Sequence, residues 1–422
     1  MLGLLVYAVP MRRALKIVGL LLAAVLVLFA ALLLYVQIDG IPRYPVKKVE
    51  FRAEPTAERI ERGRKLAGLL CAGCHMDPTT RVLTGKHMSD APKQFGELYA
   101  PNITRSTRKG IGSWTDGELA YLLRTGIKRT GQYAPPWMVK LPHLSDEDLA
   151  SIIAFLRSDD PMVEASDREA PGVTQPSFLS KFLAHVAFKP LPYPDHVITA
   201  PPLTDRVAHG RYLVFGLDCY GCHSADFKTM NVGEPEKSEG YLGGGNAVLD
   251  LGGHPILSAN ITPDVETGIG RWSEHDFVAT VRTGFRPDRR LLRYPMLPLS
   301  ALSDEEAGAI HAYLRTVPPL RRAVERNFPP PPPAAGSPAI ADGKQLYERY
   351  GCVSCHGNDG VGIADLRQAS EHYPSREALQ LWIQDAPGIK PGTKMPGWRN
   401  VIREEDFGPL LDHVLRLGKS GG

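Results

Sequence analysis

The 422-residue chain has no cysteine outside three short segments: all six lie in CAGCH (71–75), CYGCH (219–223) and CVSCH (352–356). None is left over for a disulfide elsewhere, so the redox compartment has to be read from the three segments themselves. The chain also lacks a charge imbalance. Its 49 Lys and Arg against 46 Asp and Glu leave a formal net charge of +3, which argues against a dedicated nucleic-acid binder. The glycine clusters between Gly243 and Gly253 lack the strand–helix context of a dinucleotide site, so phosphate binding is discounted. What the chain has in quantity is 37 prolines and 41 glycines, the composition of a loop-rich protein with stiff linkers. Its length implies two to four domains.

One long apolar run is present. Ile17 to Val36, IVGLLLAAVLVLFAALLLYV, carries no charge and as a helix would span about 30 Å, enough for the hydrocarbon core of a bilayer. No face of it is polar, which disfavours a buried soluble helix. Arg12, Arg13 and Lys16 precede it, so the rule that positive residues stay inside places everything after Gln37 on the exported side. A cleaved signal peptide would have a shorter apolar core and an A-x-A-like site; Tyr35 to Asp39, YVQID, offers none. The expectation is an uncleaved single-pass anchor over residues 1–38, in the inner membrane of a bacterium, with the rest in the periplasm. Met11, followed by two arginines, is as good a start as Met1.

Two thiols at i and i+3 followed by histidine form the attachment pattern of c-type haem. Residues three apart share a helix face, so both sulfurs reach the two vinyl groups of one porphyrin, and the adjacent histidine stands over the ring as proximal iron ligand. A zinc ribbon would need two Cys-x-x-Cys knuckles close in sequence, and these three are far apart. The reading is therefore three covalently bound haem c groups, on Cys71 and Cys74, Cys219 and Cys222, and Cys352 and Cys355, with His75, His223 and His356 on the irons.

A repeat frames these segments. GRKLAGLLC, GRYLVFGLDC and GKQLYERYGC lead into them, each reading as the end of a short helix. Asn102 to Gly126 then lies over Asn260 to Gly284 without a gap, at an offset of 158 residues, as duplicated units do. Thr115 with Glu118 and Ser273 with Asp276 are capping-box pairs; Ser145 with Asp148 and Ser303 with Glu306 open a second helix in each unit. Leu149, Ile152, Ile153 and Leu156 follow at amphipathic spacing.

The same offset pairs Met138 with Met296, and Met395 stands in KMPGW before a last helix with Phe407, Leu410, Leu411 and Val414 on one face. These three methionines are expected as sixth iron ligands, since His/Met ligation saturates the iron and suits electron transfer. Met76, Met88, Met162 and Met230 fall outside the register, and His87, His143, His254, His275 and His311 have no repeat partner, so none is assigned a role. Trp114 and Trp272 match each other and read as packing residues.

The expected fold is mainly α: three tandem cytochrome c domains after one N-terminal transmembrane helix, with domains at 56–160, 201–318 and 338–418. An apolar piece in the first linker, SFLSKFLAHVAFK, reads as a helix lying on a partner or on the membrane surface. Pro329 to Pro333 read as a semi-rigid polyproline spacer.

NITPDVETGIGRW, the RTG that follows, the Pro-Met element and the Ser-x-x-acid helix start resemble the three-haem cytochrome c subunit of membrane-bound bacterial dehydrogenases for alcohols, aldehydes and gluconate. The resemblance covers about residues 56–418; the first unit departs from it in lacking a Met-Pro pair. It implies a subunit with no substrate site, which takes electrons from a separate flavin- or PQQ-type dehydrogenase subunit and passes them to membrane quinone or to another cytochrome or oxidase. It also implies that the pentads and Met138, Met296 and Met395 are the haem-binding positions. Two other functions compete: the cytochrome c subunit of a respiratory oxidase complex, favoured by the anchor, and a haem enzyme with one open iron site, for which Met138 is the place to look.

Overall fold

A helix runs into each pentad, and a second helix crosses it. In the computed structural model, which describes residues 11–325, 332–334, 336–390 and 393–417, the longer helices are α1 (Met11–Asp39), α2 (Ala57–Leu70), α3 (Asp116–Thr125), α4 (Asp146–Arg157), α5 (Phe178–Val186), α6 (Arg206–Gly216), α7 (Glu274–Thr283), α8 (Asp304–Leu314), α9 (Gly343–Arg349), α10 (Arg376–Ile389) and α11 (Glu404–Leu417). The strands are pairs of two or three residues, such as Ala247–Leu249 against Pro255–Leu257, so the glycine-rich stretch before Gly253 is largely a small hairpin.

Three helix crossings organise the chain: α2 with α4, α6 with α8 and α9 with α11. Each is made at a glycine of the lead-in helix. A Cβ on Gly63 would stand 1.8 Å from Ser151 O, one on Gly210 1.9 Å from Ala309 O, and one on Gly343 2.0 Å from Pro409 O. The helix backbones are in contact there, so only hydrogen fits. Leu149, Ile152, Ile153 and Leu156 are all buried, as their spacing requires. The first two repeats share one continuous core, running from Leu66, Ile152 and Phe155 to Leu213, Ile310 and Leu314. The third has its own, built on Leu346, Tyr347, Tyr350, Trp398, Phe407 and Leu410, with Phe285 and Leu291 of the second repeat packed against it.

The expected capping boxes form at Thr115 with Glu118, Ser273 with Asp276 and Ser303 with Glu306. The fourth forms only in half. Ser145 Oγ accepts from Asp148 N–H (3.1 Å), but the Ser145 N–H goes to the Tyr212 hydroxyl (3.1 Å). The Asp148 carboxylate is engaged across the repeat boundary, accepting from Arg62 (2.8 and 2.9 Å) and from Tyr212 OH (2.5 Å). Arg62 also donates to Glu306 (3.0 Å), which pairs with Lys65 as well. One guanidinium of α2 thus binds α4 of its own repeat and α8 of the next.

Among the described residues, one helix is long and apolar enough to cross a membrane, Leu15–Asp39 within α1, and its surface is exposed. The apolar piece of the first linker forms α5, capped by Ser177, and packs on the end of α1. Lys181 Nζ donates to Gln37 Oε1 (3.2 Å) and His185 Nε2 to Gly40 O (3.1 Å). Of the proline run before the third repeat, Pro329 to Pro331 lie outside the described residues.

Gly210→Ala should lower stability by about 1–3 kcal/mol through overpacking of the α6–α8 crossing, read as a reduced melting temperature of the haem-loaded protein. Glu306→Gln should cost about 1–3 kcal/mol at neutral pH by removing the charge that pairs Lys65 and the second arm of Arg62, which keeps only Asp148. Burial raises the Glu306 pKa, but Lys65 and Arg62 outweigh it and hold it below its ordinary 4.5. Its contribution is therefore present above that value and is lost as pH falls through the depressed one. Denaturation curves of the two proteins should converge in acid.

Candidate haem sites

Each pentad occupies one helical turn at the end of its lead-in helix, 72–75, 219–223 and 353–356. The turn puts the two sulfurs on one side, as thioether attachment needs. The histidine that follows makes the same bond in all three. His75 Nδ1 is 2.7 Å from Pro101 O, His223 Nδ1 is 2.8 Å from Ala259 O and His356 Nδ1 is 3.1 Å from Ala364 O. A carbonyl only accepts, so Nδ1 carries the proton and Nε2 keeps its lone pair for a metal. Burial lowers the pKa of His75 and His356 despite these bonds, which keeps the imidazoles neutral.

The repeated NIT motif explains two of those carbonyls. They belong to the residues just before Asn102 and Asn260. Asn102 Oδ1 accepts from Thr104 N–H (2.8 Å) while its Nδ2 donates to Ser166 O and Arg168 O (2.7 and 2.8 Å). Asn260 does the same with Thr262 N–H (2.9 Å) and Leu320 O (2.7 Å). The side chain ties the histidine's acceptor to the segment that closes the repeat.

Met138 and Met296 sit in equivalent half-buried turns, their N–H groups donating to Pro135 O (3.0 Å) and Arg293 O (2.9 Å). The loops that carry them leave α3 and α7 through left-handed Gly126 (φ 82°) and Gly284 (φ 86°). Both return to the same places: Ala134 N–H to Gly126 O and Leu292 N–H to Gly284 O, each at 2.7 Å. The RTG arginine pins the loop. Arg124, 1% exposed, donates to Leu141 O and Leu144 O (2.6 Å each) and pairs with Asp146 (2.6 Å); Arg282 pairs with Asp304 in the second repeat. Arg124 was legible only as part of the repeat, with no chemical role attached.

In the third repeat the predicted residues come together in one cavity of about 460 Å³, lined by Cys352, Cys355, His356, Met395 and Trp398 among others. The surroundings resist charge on the thiols. Burial pushes Cys71, Cys219, Cys222 and Cys352 up to about 12 and Cys355 to about 11. Such sulfurs suit neutral thioethers better than zinc thiolates, which must ionise. Paired thiols on one turn, an imidazole whose Nδ1–H is spent on a carbonyl and, in the third repeat, an apolar cavity with a thioether sulfur in its wall together fit haem c. One residue beside a pentad carried no sequence signal. Asp218, before Cys219, adopts φ 56° where the third repeat has Gly351 at φ 79°. Burial pushes its carboxyl up to about 7, against hydrogen bonds from Tyr220 and the Gly221 N–H.

Of the histidines left without a role, His87, His254 and His275 are exposed, and His143 and His311 pack between elements. His143 Nε2 meets Val232 O (2.6 Å) across the first two repeats, and His311 lies against Phe277 with ring centres 5.4 Å apart. Trp114 and Trp272 pack on the shared core.

Residues 60–159 match the cytochrome c family model, and residues 338–414 match that of cytochrome c oxidase, cbb3-type, subunit III. The chain is 28% identical over 392 residues to the cytochrome c subunit of a quinone alcohol dehydrogenase of Gluconobacter oxydans, covering 85% of this chain and 78% of that one. It is 31% identical over 370 residues to the fructose dehydrogenase cytochrome subunit of Gluconobacter japonicus, covering 77% and 70%. It is 27% identical over 337 residues to the gluconate 2-dehydrogenase cytochrome c subunit of Pantoea cypripedii, covering 75% and 73%. The chain belongs to this family, the cytochrome c subunits of bacterial alcohol, fructose and gluconate dehydrogenases, as an electron-transfer and not a catalytic subunit.

Proposed function

We propose that the chain is a membrane-anchored triheme cytochrome that relays electrons from a catalytic dehydrogenase subunit to the respiratory chain. Its cytochrome c domains are residues 56–160, 201–318 and 338–418. Haem c supplies one-electron chemistry at iron. Cys71 and Cys74, Cys219 and Cys222, and Cys352 and Cys355 hold one haem each; His75, His223 and His356 are the proximal ligands, and Met138, Met296 and Met395 the distal ones. The observation that carries this is the shared histidine geometry: at all three pentads Nδ1–H is spent on a carbonyl, which orients Nε2.

The exposed apolar α1 supports an anchor in the inner membrane with the haem domains in the periplasm. The donor is a flavin- or PQQ-type dehydrogenase, in line with the relatives, and the acceptor is membrane quinone or another cytochrome or oxidase. The match of residues 338–414 to an oxidase subunit model favours a second reading, the cytochrome c arm of an oxidase complex. Purification in mild detergent separates the two: a large dehydrogenase subunit should come with the chain, and oxidase core subunits instead would establish the second.

Intact mass and pyridine haemochrome assay should give three haems per chain; fewer overturns the relay. The reduced wild-type protein should leave carbon monoxide unbound, because histidine and methionine fill both axial positions. Met395→Ala should bind one equivalent. Stoichiometric binding by the wild type at one haem would replace the pure relay with a haem enzyme.

A further inference from the structure

We propose that Arg81, a residue of the first repeat, completes the haem site of the third by facing the haem's propionate carboxylates together with Lys394. This rests on the third haem of the reading above. The cavity at Cys352, Cys355 and His356 is not closed by its own repeat. Pro78, Thr79 and Arg81 of the first repeat and Leu291 and Leu297 of the second also line it.

Arg81 is held there by a built turn. The Asp77 carboxylate accepts from the N–H groups of Thr79 (2.9 Å) and Thr80 (2.8 Å), and Arg81 N–H donates to Asp77 O (3.0 Å). The turn leaves Arg81 at φ 61°, a left-handed conformation that costs a non-glycine residue about 1 kcal/mol. Lys394 reaches the same cavity from the loop that carries Met395. Among the described residues, neither the Arg81 guanidinium nor the Lys394 ammonium has a carboxylate within ion-pair distance, although both line this cavity. The nearby Asp90 accepts from Tyr294 OH (2.5 Å). Asp365, a carboxylate in the same wall, is engaged by Arg367 (2.7 Å), so the two cations share the cavity with no anion of their own, which is unfavourable unless one joins them. The wall holds a third donor: Trp398, 2% exposed, has no partner for Nε1–H. A haem tethered at Cys352 and Cys355 brings two carboxylates into this cavity.

A cation at the ring edge favours the reduced, less positive iron centre, so removing it lowers that haem's potential. The test is spectroelectrochemical titration of the full haem-loaded protein in detergent, with R81Q, R81K and K394Q. Met395→His identifies the third-site transition, because His/His ligation lowers its potential. R81Q should shift that transition downward by up to a tenfold change in the reduced-to-oxidised ratio, about 59 mV. The other two should stay in place. K394Q should shift the same transition and R81K should restore most of it. If R81Q leaves the third-site transition where it was, or moves all three equally, the assignment of Arg81 is wrong while the three-haem reading stands. A purified protein without haem on Cys352 and Cys355 overturns both.

Discussion

A single hydrogen bond, from imidazole Nδ1–H to a main-chain carbonyl, is the constraint on which the architecture around each pentad depends. Thioethers would fix a porphyrin to the chain but leave the histidine able to turn about its side-chain bonds. The carbonyl removes that freedom and selects the tautomer. Supplying the carbonyl takes a loop that returns to the pentad, and the loop must itself be held. In the first two repeats the holding is done by Asn102 and Asn260, whose side chains reach the strand of chain that closes each repeat. The third repeat has no NIT motif and uses the short loop after its own pentad, with Ala364 as acceptor.

The pentad needs a fixed platform as well, and the helix crossings provide it. Close approach at Gly63, Gly210 and Gly343 brings the lead-in helix against the closing helix with no side chain between, so the end of the first cannot swing relative to the second. In the first two repeats the same helices carry the network of Arg62, Asp148, Tyr212 and Glu306, which turns two similar units into one body with a continuous core. That network displaced a local rule: Asp148 left its capping box half-made because a guanidinium and a phenol from outside the helix were better partners for its carboxylate than one N–H.

Much of this was legible in the sequence because it is local or periodic. Thr115, Ser273 and Ser303 cap where their spacing to an acid says they should. The faces of α4 and α11 are buried as their periodicity requires, and the helix over Phe178–Val186 lies where an apolar stretch between prolines pointed. The histidine acceptors were not legible. They stand 26, 36 and 8 residues from their histidines and are backbone atoms of a proline and two alanines, so neither spacing nor residue type marks them. Nor was Arg81, one arginine among many until the fold carries it into a cavity belonging to residues some 270 positions away. Side-chain chemistry announces itself in a sequence; a backbone atom or a cross-repeat neighbour is created by folding.

The position of the third repeat follows from the same distinction. Five prolines in a row invite the view that a stiff spacer sets its distance. The contacts argue for another cause. The loop that carries Met296 touches both other repeats: Phe285 packs edge-on to Trp398 with ring centres 4.9 Å apart, Ser300 Oγ donates to Thr393 O (2.7 Å), Arg289 donates to Val401 O (3.3 Å) and Tyr294 donates to Asp90. Thr393 is two residues from Met395. The loops that carry Met296 and Met395 are thus held by contacts with each other as well as by their own hydrogen bonds, and the position of one methionine depends partly on the next repeat. Spacing between repeats is then a property of packed methionine loops. A change in linker length that leaves those loops in contact should leave the spacing unchanged, whereas one lost contact such as that of Phe285 with Trp398 would loosen two sites at once.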